Sequence, residues 1–220
     1  GKAFLRRRRR RGPGLRAPFG LRTWTISDCA PLPRDDTPGW QSQPRWVELQ
    51  TRFGLGEAFL ARWQAWRQAP ERPAHLHVVA IEPSPIDLAG LQQHLARTGD
   101  NSLQAQELCA QWWGLASGFH RLSFEEGQLE LTLCVGPLLD TLRELQLEAD
   151  SLCWREPTPA SATSPEPWDE GLLKALARLC RRGTRLTADR DSPELREGLQ
   201  RLGFVLSSDT PGLQARYLPA

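Results

Sequence analysis

The clearest pattern in this 220-residue sequence lies in residues 46–82, WVELQTRFGLGEAFLARWQAWRQAPERPAHLHVVAIE. A short apolar segment at 46–49 runs into a turn at 51–56, and residues 59–66 then repeat apolar side chains at helical spacing before two prolines. Residues 75–82 have the composition of a buried strand that ends in an acid. The segment therefore predicts a strand, a turn, a helix and a second strand, which together form the basic unit of an α/β fold.

The alternation of strands and helices continues to the end of the chain. We predict helices at 87–97, 138–147, 168–182 and 193–202, and strands at 119–124, 128–135, 151–154, 184–188, 203–206 and 213–218. This order implies a mostly parallel sheet with helices on both faces. Ligands of such sheets bind outside the carboxyl ends of the strands, where the strand order reverses.

Two glycines and an acid form the first candidate site. Gly54 and Gly56 lie in the turn, where glycine permits positive φ and lets the backbone approach a ligand. Glu82 ends the next strand, 26 residues after Gly56, and a carboxylate there can accept hydrogen bonds from both hydroxyls of a ribose. A tight turn with a solvated glutamate is the structural alternative. Arg52 precedes the glycines and places a long cation where it can crowd a ligand.

The charge of the chain is divided between a basic arm and an acidic body. Residues 1–22 hold Lys2 and eight arginines without an acid, a charge of +9, whereas the other 198 residues hold 19 basic and 26 acidic residues, a charge of −7. We predict a basic, Pro/Gly-rich, irregular arm at 1–45 and a folded domain at 46–220. The run from Arg6 to Arg11 is either an RNA or phosphate tether or a low-complexity extension without a specific role.

Other classes of protein and site are disfavoured. No apolar run approaches the roughly 20 residues that cross a bilayer. The five cysteines are widely spaced without a CxxC pair, which disfavours structural zinc and favours a reducing, cytoplasmic setting. The histidines have no supporting acid or cysteine cluster, so we predict no metal site. Four tryptophans have two open interpretations, base-stacking platforms or core residues: Trp63, Trp66, Trp112 and Trp113. The chain begins with Gly1 and has no methionine, so we expect a fragment or trimmed product.

The order of the motifs resembles the methyltransferase domain of the MnmC-type bifunctional tRNA 5-methylaminomethyl-2-thiouridine biosynthesis family. That family has a segment like E-T-G-F-G-x-G-x-N-F-L before a Trp-rich helix, and residues 50–66 are similar to it. The strand ending in an acid is matched by residues 77–82, and a Gly-x-His-Arg-Leu stretch by residues 118–122. The family's Pro-rich loop that leads to Trp and a helix is matched by residues 157–168.

The resemblance implies a Rossmann-like S-adenosylmethionine-dependent methyltransferase fold with a mostly parallel, seven-stranded sheet. It implies that S-adenosylmethionine is held by Phe53, Gly54, Gly56, Glu82 and Gly136. The implied substrate is the wobble uridine of tRNA. If the run from Arg6 to Arg11 is an RNA tether, this tRNA would be its partner. The implied partner is a flavin-dependent domain that carries FAD outside these 220 residues.

The sequence departs from the family pattern at several of these positions. Gln50 and Arg52 replace an acid and a glycine, and Pro137 replaces an aspartate. Arg155 takes the place of the active-site aspartate, which leaves the neighbouring Glu156 as the candidate catalytic carboxylate. An arginine stays protonated and cannot take a proton from an amine. Two hypotheses follow: a tRNA (5-aminomethyl uridine) methyltransferase that uses S-adenosylmethionine, or a non-catalytic, degenerate methyltransferase fold that serves as scaffold or tRNA contact for a flavin-dependent oxidoreductase partner.

Overall fold

A computed structural model of the chain describes residues 39–40, 43–155, 169–189, 191–207 and 212–219. These residues form eight strands: β1 (Arg45–Gln50), β2 (His75–Ile81), β3 (Gly118–Phe124), β4 (Leu129–Val135), β5 (Ala149–Trp154), β6 (Cys180–Ala188), β7 (Phe204–Leu206) and β8 (Leu213–Tyr217). They also form six α-helices: α1 (Glu57–Gln68), α2 (Leu88–Thr98), α3 (Leu103–Gln111), α4 (Leu138–Glu144), α5 (Glu170–Arg178) and α6 (Pro193–Arg201).

All eight strands belong to one sheet, in the order β3-β4-β2-β1-β5-β6-β8-β7. The five strands from β4 to β6 in this order are parallel to their neighbours, whereas β3, β7 and β8 pair antiparallel. The predicted mostly parallel sheet is confirmed, but it has eight strands rather than seven. The tight turn Glu125–Gly127 folds β3 back as an antiparallel edge strand on β4.

Helices cover both faces of the sheet, as predicted. Because side chains alternate along a strand, Val78 of β2 packs with α1, α2 and α3, and the next residue, Val79, packs with α4, α5 and α6. The first face is rich in aromatic residues and the second in leucines. Trp40, which belongs to the predicted arm, is only 1% exposed and packs in the aromatic core. The arginine run of the arm lies outside the described residues.

The structure differs from the predicted helices in three places. The helix predicted at 138–147 ends at Glu144, because Leu145 is already extended. The helix predicted at 168–182 ends at Arg178, and β6 already begins at Cys180. Leu179 continues the apolar spacing but ends the helix, and the Thr184 hydroxyl bonds to the backbone of Arg181 and Ala149 to hold the irregular start of β6. Helix α3 was not predicted, although Ser102 caps its start by accepting from the Ala105 N–H.

The strand order reverses at β1. The chain passes from β1 to β2 and β4 on one side and then returns through α4 to β5 on the other side. The carboxyl ends of β1, β2 and β5 therefore meet at one edge, which is where doubly wound sheets bind their ligands. The predicted glycine turn and Glu82 both lie at this edge.

Candidate functional site

The loop that follows β1 is fixed to its neighbours by backbone hydrogen bonds. The Phe53 N–H donates to the Ile81 carbonyl of β2 at 2.8 Å, and the Gly56 N–H donates to the Phe53 carbonyl at 3.2 Å. The Phe53 ring is fully buried and stacks on Trp112 with ring centroids 5.0 Å apart. Phe53 therefore supports the loop from the core side, and it offers a ligand no more than its backbone.

The two loop glycines have different surroundings. Both have positive φ, +64° at Gly54 and +88° at Gly56. A Cβ at Gly56 would lie 3.1 Å from Phe53 Cζ and 3.3 Å from Leu108 Cδ2, so this glycine is required by packing. A Cβ at Gly54 would meet only Glu57 Oε2, at 3.9 Å. The open approach to the loop is therefore at Gly54.

Glu82 is bound to this loop. Its side chain is almost buried, and its Oε2 accepts a hydrogen bond from the Gly54 N–H at 2.9 Å. Its Oε1 accepts from the Ser84 N–H at 3.4 Å, and its own N–H donates to the Cys134 carbonyl of β4 at 3.0 Å. The alternative of a solvated glutamate is therefore wrong, because the Glu82 side chain is buried and its carboxylate accepts from the backbone of the glycine turn.

Arg52 is directed at the same carboxylate. Its Nε lies 3.9 Å from Glu82 Oε2, and its side chain is 18% exposed. The long cation predicted beside the glycines is thus partly buried and forms an ion pair with the acid that would receive ribose hydroxyls. At this sheet edge the Glu82 Oε2 atom is therefore shared by the Gly54 N–H and the Arg52 guanidinium.

Thr51 ties the end of β1 to the end of β5. Its N–H donates to the Cys153 carbonyl at 3.1 Å, and its Oγ1 accepts from the Arg155 N–H at 2.9 Å. The hydroxyl in turn lies 3.2 Å from the Arg155 carbonyl, to which it donates. The sequence analysis missed this residue. The signal that could have identified it is a hydroxyl side chain directly after β1, the strand at which the strand order reverses. Arg155 is thereby placed at the same edge as Glu82.

Two further predicted site residues are Gly136 and Glu156. Gly136 follows β4 at the same sheet edge, and a Cβ there would lie 3.2 Å from Thr141 Oγ1 of α4. Glu156, the candidate catalytic carboxylate, lies outside the described residues.

Gln50 belongs to a buried polar cluster on the α1 side of β1. Its Nε2 donates to Glu48 Oε1 at 2.8 Å, and Glu48 Oε2 pairs with Arg62 Nε at 2.6 Å. A cavity of about 30 Å³ adjoins this cluster and is also lined by Cys153. Burial, with the negative charge of Glu48, raises the pKa of the Cys153 thiol to about 11. Cys153 is therefore a protonated thiol at neutral pH rather than a nucleophile.

The other candidates are structural in this fold or lack partners. Three of the four tryptophans, Trp63, Trp66 and Trp112, are core residues, whereas Trp113 is 75% exposed. Within the described part of the chain, no three His, Cys, Asp or Glu side chains converge as metal ligands. No helix in that part has the length and apolar character needed to cross a membrane.

Comparisons with known proteins agree on one family. A family model described as S-adenosyl-L-methionine-dependent methyltransferase matches residues 101–216. The tRNA 5-methylaminomethyl-2-thiouridine biosynthesis bifunctional protein MnmC of Acidovorax sp. (strain JS42) is 45% identical over 189 residues, which are 82% of this chain and 29% of that protein. The protein of the same name from Cupriavidus necator is 40% identical over 179 residues, covering 81% and 27% of the two chains. The chain thus spans less than a third of the length of these relatives.

The fold is also found in a solved structure. The crystal structure of MNMC2 from Aquifex aeolicus superposes with a TM-score of 0.55 at 16% identity. The superposition covers 81% of this chain and 55% of that one. At this identity the likeness supports the arrangement of strands and helices.

Proposed function

Since the chain belongs to a family of S-adenosyl-L-methionine-dependent methyltransferases, we propose that it is the methyltransferase domain of a protein that modifies the wobble uridine of tRNA. The relatives are named for the biosynthesis of 5-methylaminomethyl-2-thiouridine in tRNA. That product carries a methylated amine, so the proposed acceptor is the amine of a 5-aminomethyl uridine. When bound, S-adenosylmethionine supplies the methyl group to such a nitrogen.

One observation carries the proposal: Glu82 Oε2 and the Gly54 N–H meet at 2.9 Å at the carboxyl edge of the sheet. The carboxylate is nearly dry, so hydrogen bonds from ribose hydroxyls would be stronger there than at a solvated acid. A Cβ at Gly54 would meet only Glu57 Oε2, at 3.9 Å, so the backbone of the turn is open to a ligand there. We therefore assign Glu82 and Gly54 to binding, and Gly56 and Phe53 to the shape of the loop.

The acceptor side of the site is less complete. Methyl transfer needs an unprotonated amine held in line with the methyl group. Arg155 cannot accept the proton, because a guanidinium stays charged. Glu156, which follows Arg155 in the sequence, is the proposed carboxylate for this task.

A second function is favoured by Arg52 and Arg155. With a cation on Glu82 and another in the place of the family's aspartate, the domain can be a non-catalytic scaffold or tRNA contact for a flavin-dependent partner domain. The chain covers less than a third of bifunctional relatives, which leaves room for such a partner in the whole protein. The unpaired cysteines among the described residues fit a cytoplasmic location for either function.

Calorimetry with S-adenosylmethionine tests the cofactor site directly. We expect binding at sub-millimolar concentration that is lost in Glu82→Ala and retained in Glu107→Ala, an exposed acid on α3. Transfer of labelled methyl to tRNA that carries a 5-aminomethyl uridine then separates the two functions. Binding without transfer supports the scaffold, and absence of binding at millimolar cofactor rejects the enzyme.

A further inference from the structure

Arg52 and the proposed cofactor need the same carboxylate. Glu82 Oε2 already accepts the Gly54 N–H at 2.9 Å and lies 3.9 Å from Arg52 Nε, while Oε1 faces the Ser84 N–H. A carboxylate has about four acceptor positions, and two backbone N–H groups use two of them here. Arg52 Nε is beyond hydrogen-bond distance, so the guanidinium does not fill a third position but neutralises the carboxylate and takes up space beside Oε2. Two ribose hydroxyls that bind to Glu82 would have to share the carboxylate with this cation.

The backbone of Arg52 has little freedom to withdraw. The preceding residue, Thr51, bonds through its N–H to Cys153 of β5, and the following residue, Phe53, bonds through its N–H to Ile81 of β2. Both neighbours are therefore fixed to different strands of the sheet. Withdrawal therefore falls on the Arg52 side chain, whose rotation away from Glu82 would separate an ion pair in which the Glu82 side chain is 9% exposed.

We infer that Arg52 sets the cofactor affinity of this chain by competing with the ribose hydroxyls of S-adenosylmethionine for the Glu82 carboxylate. The inference rests on the proposed function, because it assumes that Glu82 receives the ribose. Arg52 would thus lower the affinity for the cofactor and take no part in catalysis. Its removal should improve binding, which is the opposite of the effect expected for a residue that contacts the cofactor.

The test is calorimetric titration of the full chain with S-adenosylhomocysteine at low and high salt. The variants are Arg52→Ala and, as a control, Arg45→Ala, which removes an exposed cation at the amino end of β1, the end of the strand away from the site. We expect Arg52→Ala to bind S-adenosylhomocysteine at least about fivefold more tightly than the wild type. A change of this size corresponds to the loss of one partly exposed ion pair together with the removal of a bulky side chain. Because salt screens the pair, the gap between wild type and Arg52→Ala should narrow at high salt.

A second arm links the effect to Glu82. If Arg52 competes for the carboxylate, Glu82→Gln should cost less affinity in the wild type than in the Arg52→Ala background. The double-mutant cycle formed by these four proteins gives the coupling free energy between the two residues. Thermal unfolding of each variant shows that the fold is retained. The readout is binding, so it does not depend on whether methyl transfer occurs.

Each other outcome overturns the inference in a distinct way. Equal affinity of wild type and Arg52→Ala removes the competition but leaves the proposed cofactor site intact. Weaker binding by Arg52→Ala makes Arg52 a cofactor contact. No binding by any variant at millimolar ligand rejects both the inference and the proposed cofactor site.

Discussion

Arg62 Nε of α1 lies 2.6 Å from Glu48 Oε2 of β1, with the two side chains 9% and 2% exposed. Arg62 also lies against the ring of Trp40, with Cζ 5.7 Å from its centroid. The pair is surrounded by other polar partners, since Gln50 Nε2 and Ser151 Oγ both donate to the Glu48 carboxylate. The first helix is therefore joined to the central strand by charge as well as by apolar packing.

This pair predicts a large difference between a single and a double substitution. Arg62→Met should lower the free energy of unfolding by about 3–5 kcal/mol, because it leaves the Glu48 charge buried without compensation. The double variant Glu48→Gln/Arg62→Met should lose clearly less, since no buried charge remains. Urea unfolding followed by circular dichroism measures both. Equal losses in the two variants would show that packing, rather than charge, accounts for the effect.

The two loop glycines predict a separation of stability from binding. Gly56→Ala should destabilise the fold by about 1–3 kcal/mol, since a Cβ at positive φ would also press on Phe53 and Leu108. A Cβ at Gly54 would make only an ordinary contact with Glu57 Oε2 at 3.9 Å, so Gly54→Ala should cost only the backbone strain of about 1–2 kcal/mol. Its main effect should be on cofactor affinity, measured by the same calorimetry. Full cofactor affinity in Gly54→Ala would place the ligand away from this residue.

Part of this site can be predicted from sequence because its signals are local. The glycines, the helix after them and the acid at the end of β2 lie within residues 46–82, and the structure brings Gly54 and Glu82 into contact. The hydrogen bonds of Thr51 with Arg155 cannot be predicted in this way, since they join residues 104 positions apart. The direction of the Arg52 side chain cannot be predicted either. The sequence places Arg52 beside the turn, but its orientation toward Glu82 depends on the packing of the sheet edge.

His77 predicts a loss of stability in mild acid. Burial lowers its pKa from the usual 6.5 to about 4, with Arg45, Arg121 and His75 acting in the same direction and Glu130 opposing them. Between these pH values the unfolded chain takes up a proton that the folded chain does not, so the free energy of unfolding falls as pH is lowered from about 7 to 4. His77 should account for about 1–2 kcal/mol of this fall, allowing for its partial exposure.

The control for this prediction is His77→Gln, whose amide can still bond to Thr132, the present partner of His77 Nε2 at 2.8 Å. Urea unfolding at pH 7.5, 6 and 4.5 should show a smaller fall in the variant than in the wild type. Parallel pH profiles for the two proteins would mean that other groups cause the acid sensitivity.

If the chain contacts RNA, the basic arm should supply most of the attraction, because the rest of the sequence has a net charge of −7. Deleting residues 2–16 removes Lys2 and seven arginines, and it should weaken tRNA binding and reduce its dependence on salt. If about half of these cations release counterions, the slope of log affinity against log salt should fall by about 3.

A matched variant that replaces Arg6 through Arg11 by glutamine keeps the length of the arm and should reproduce most of the effect. Filter binding to tRNA between 50 and 300 mM salt measures the slopes. Unchanged affinity in both variants would make the arm an extension without a role in RNA contact, and RNA would then have to bind the acidic body or a partner domain.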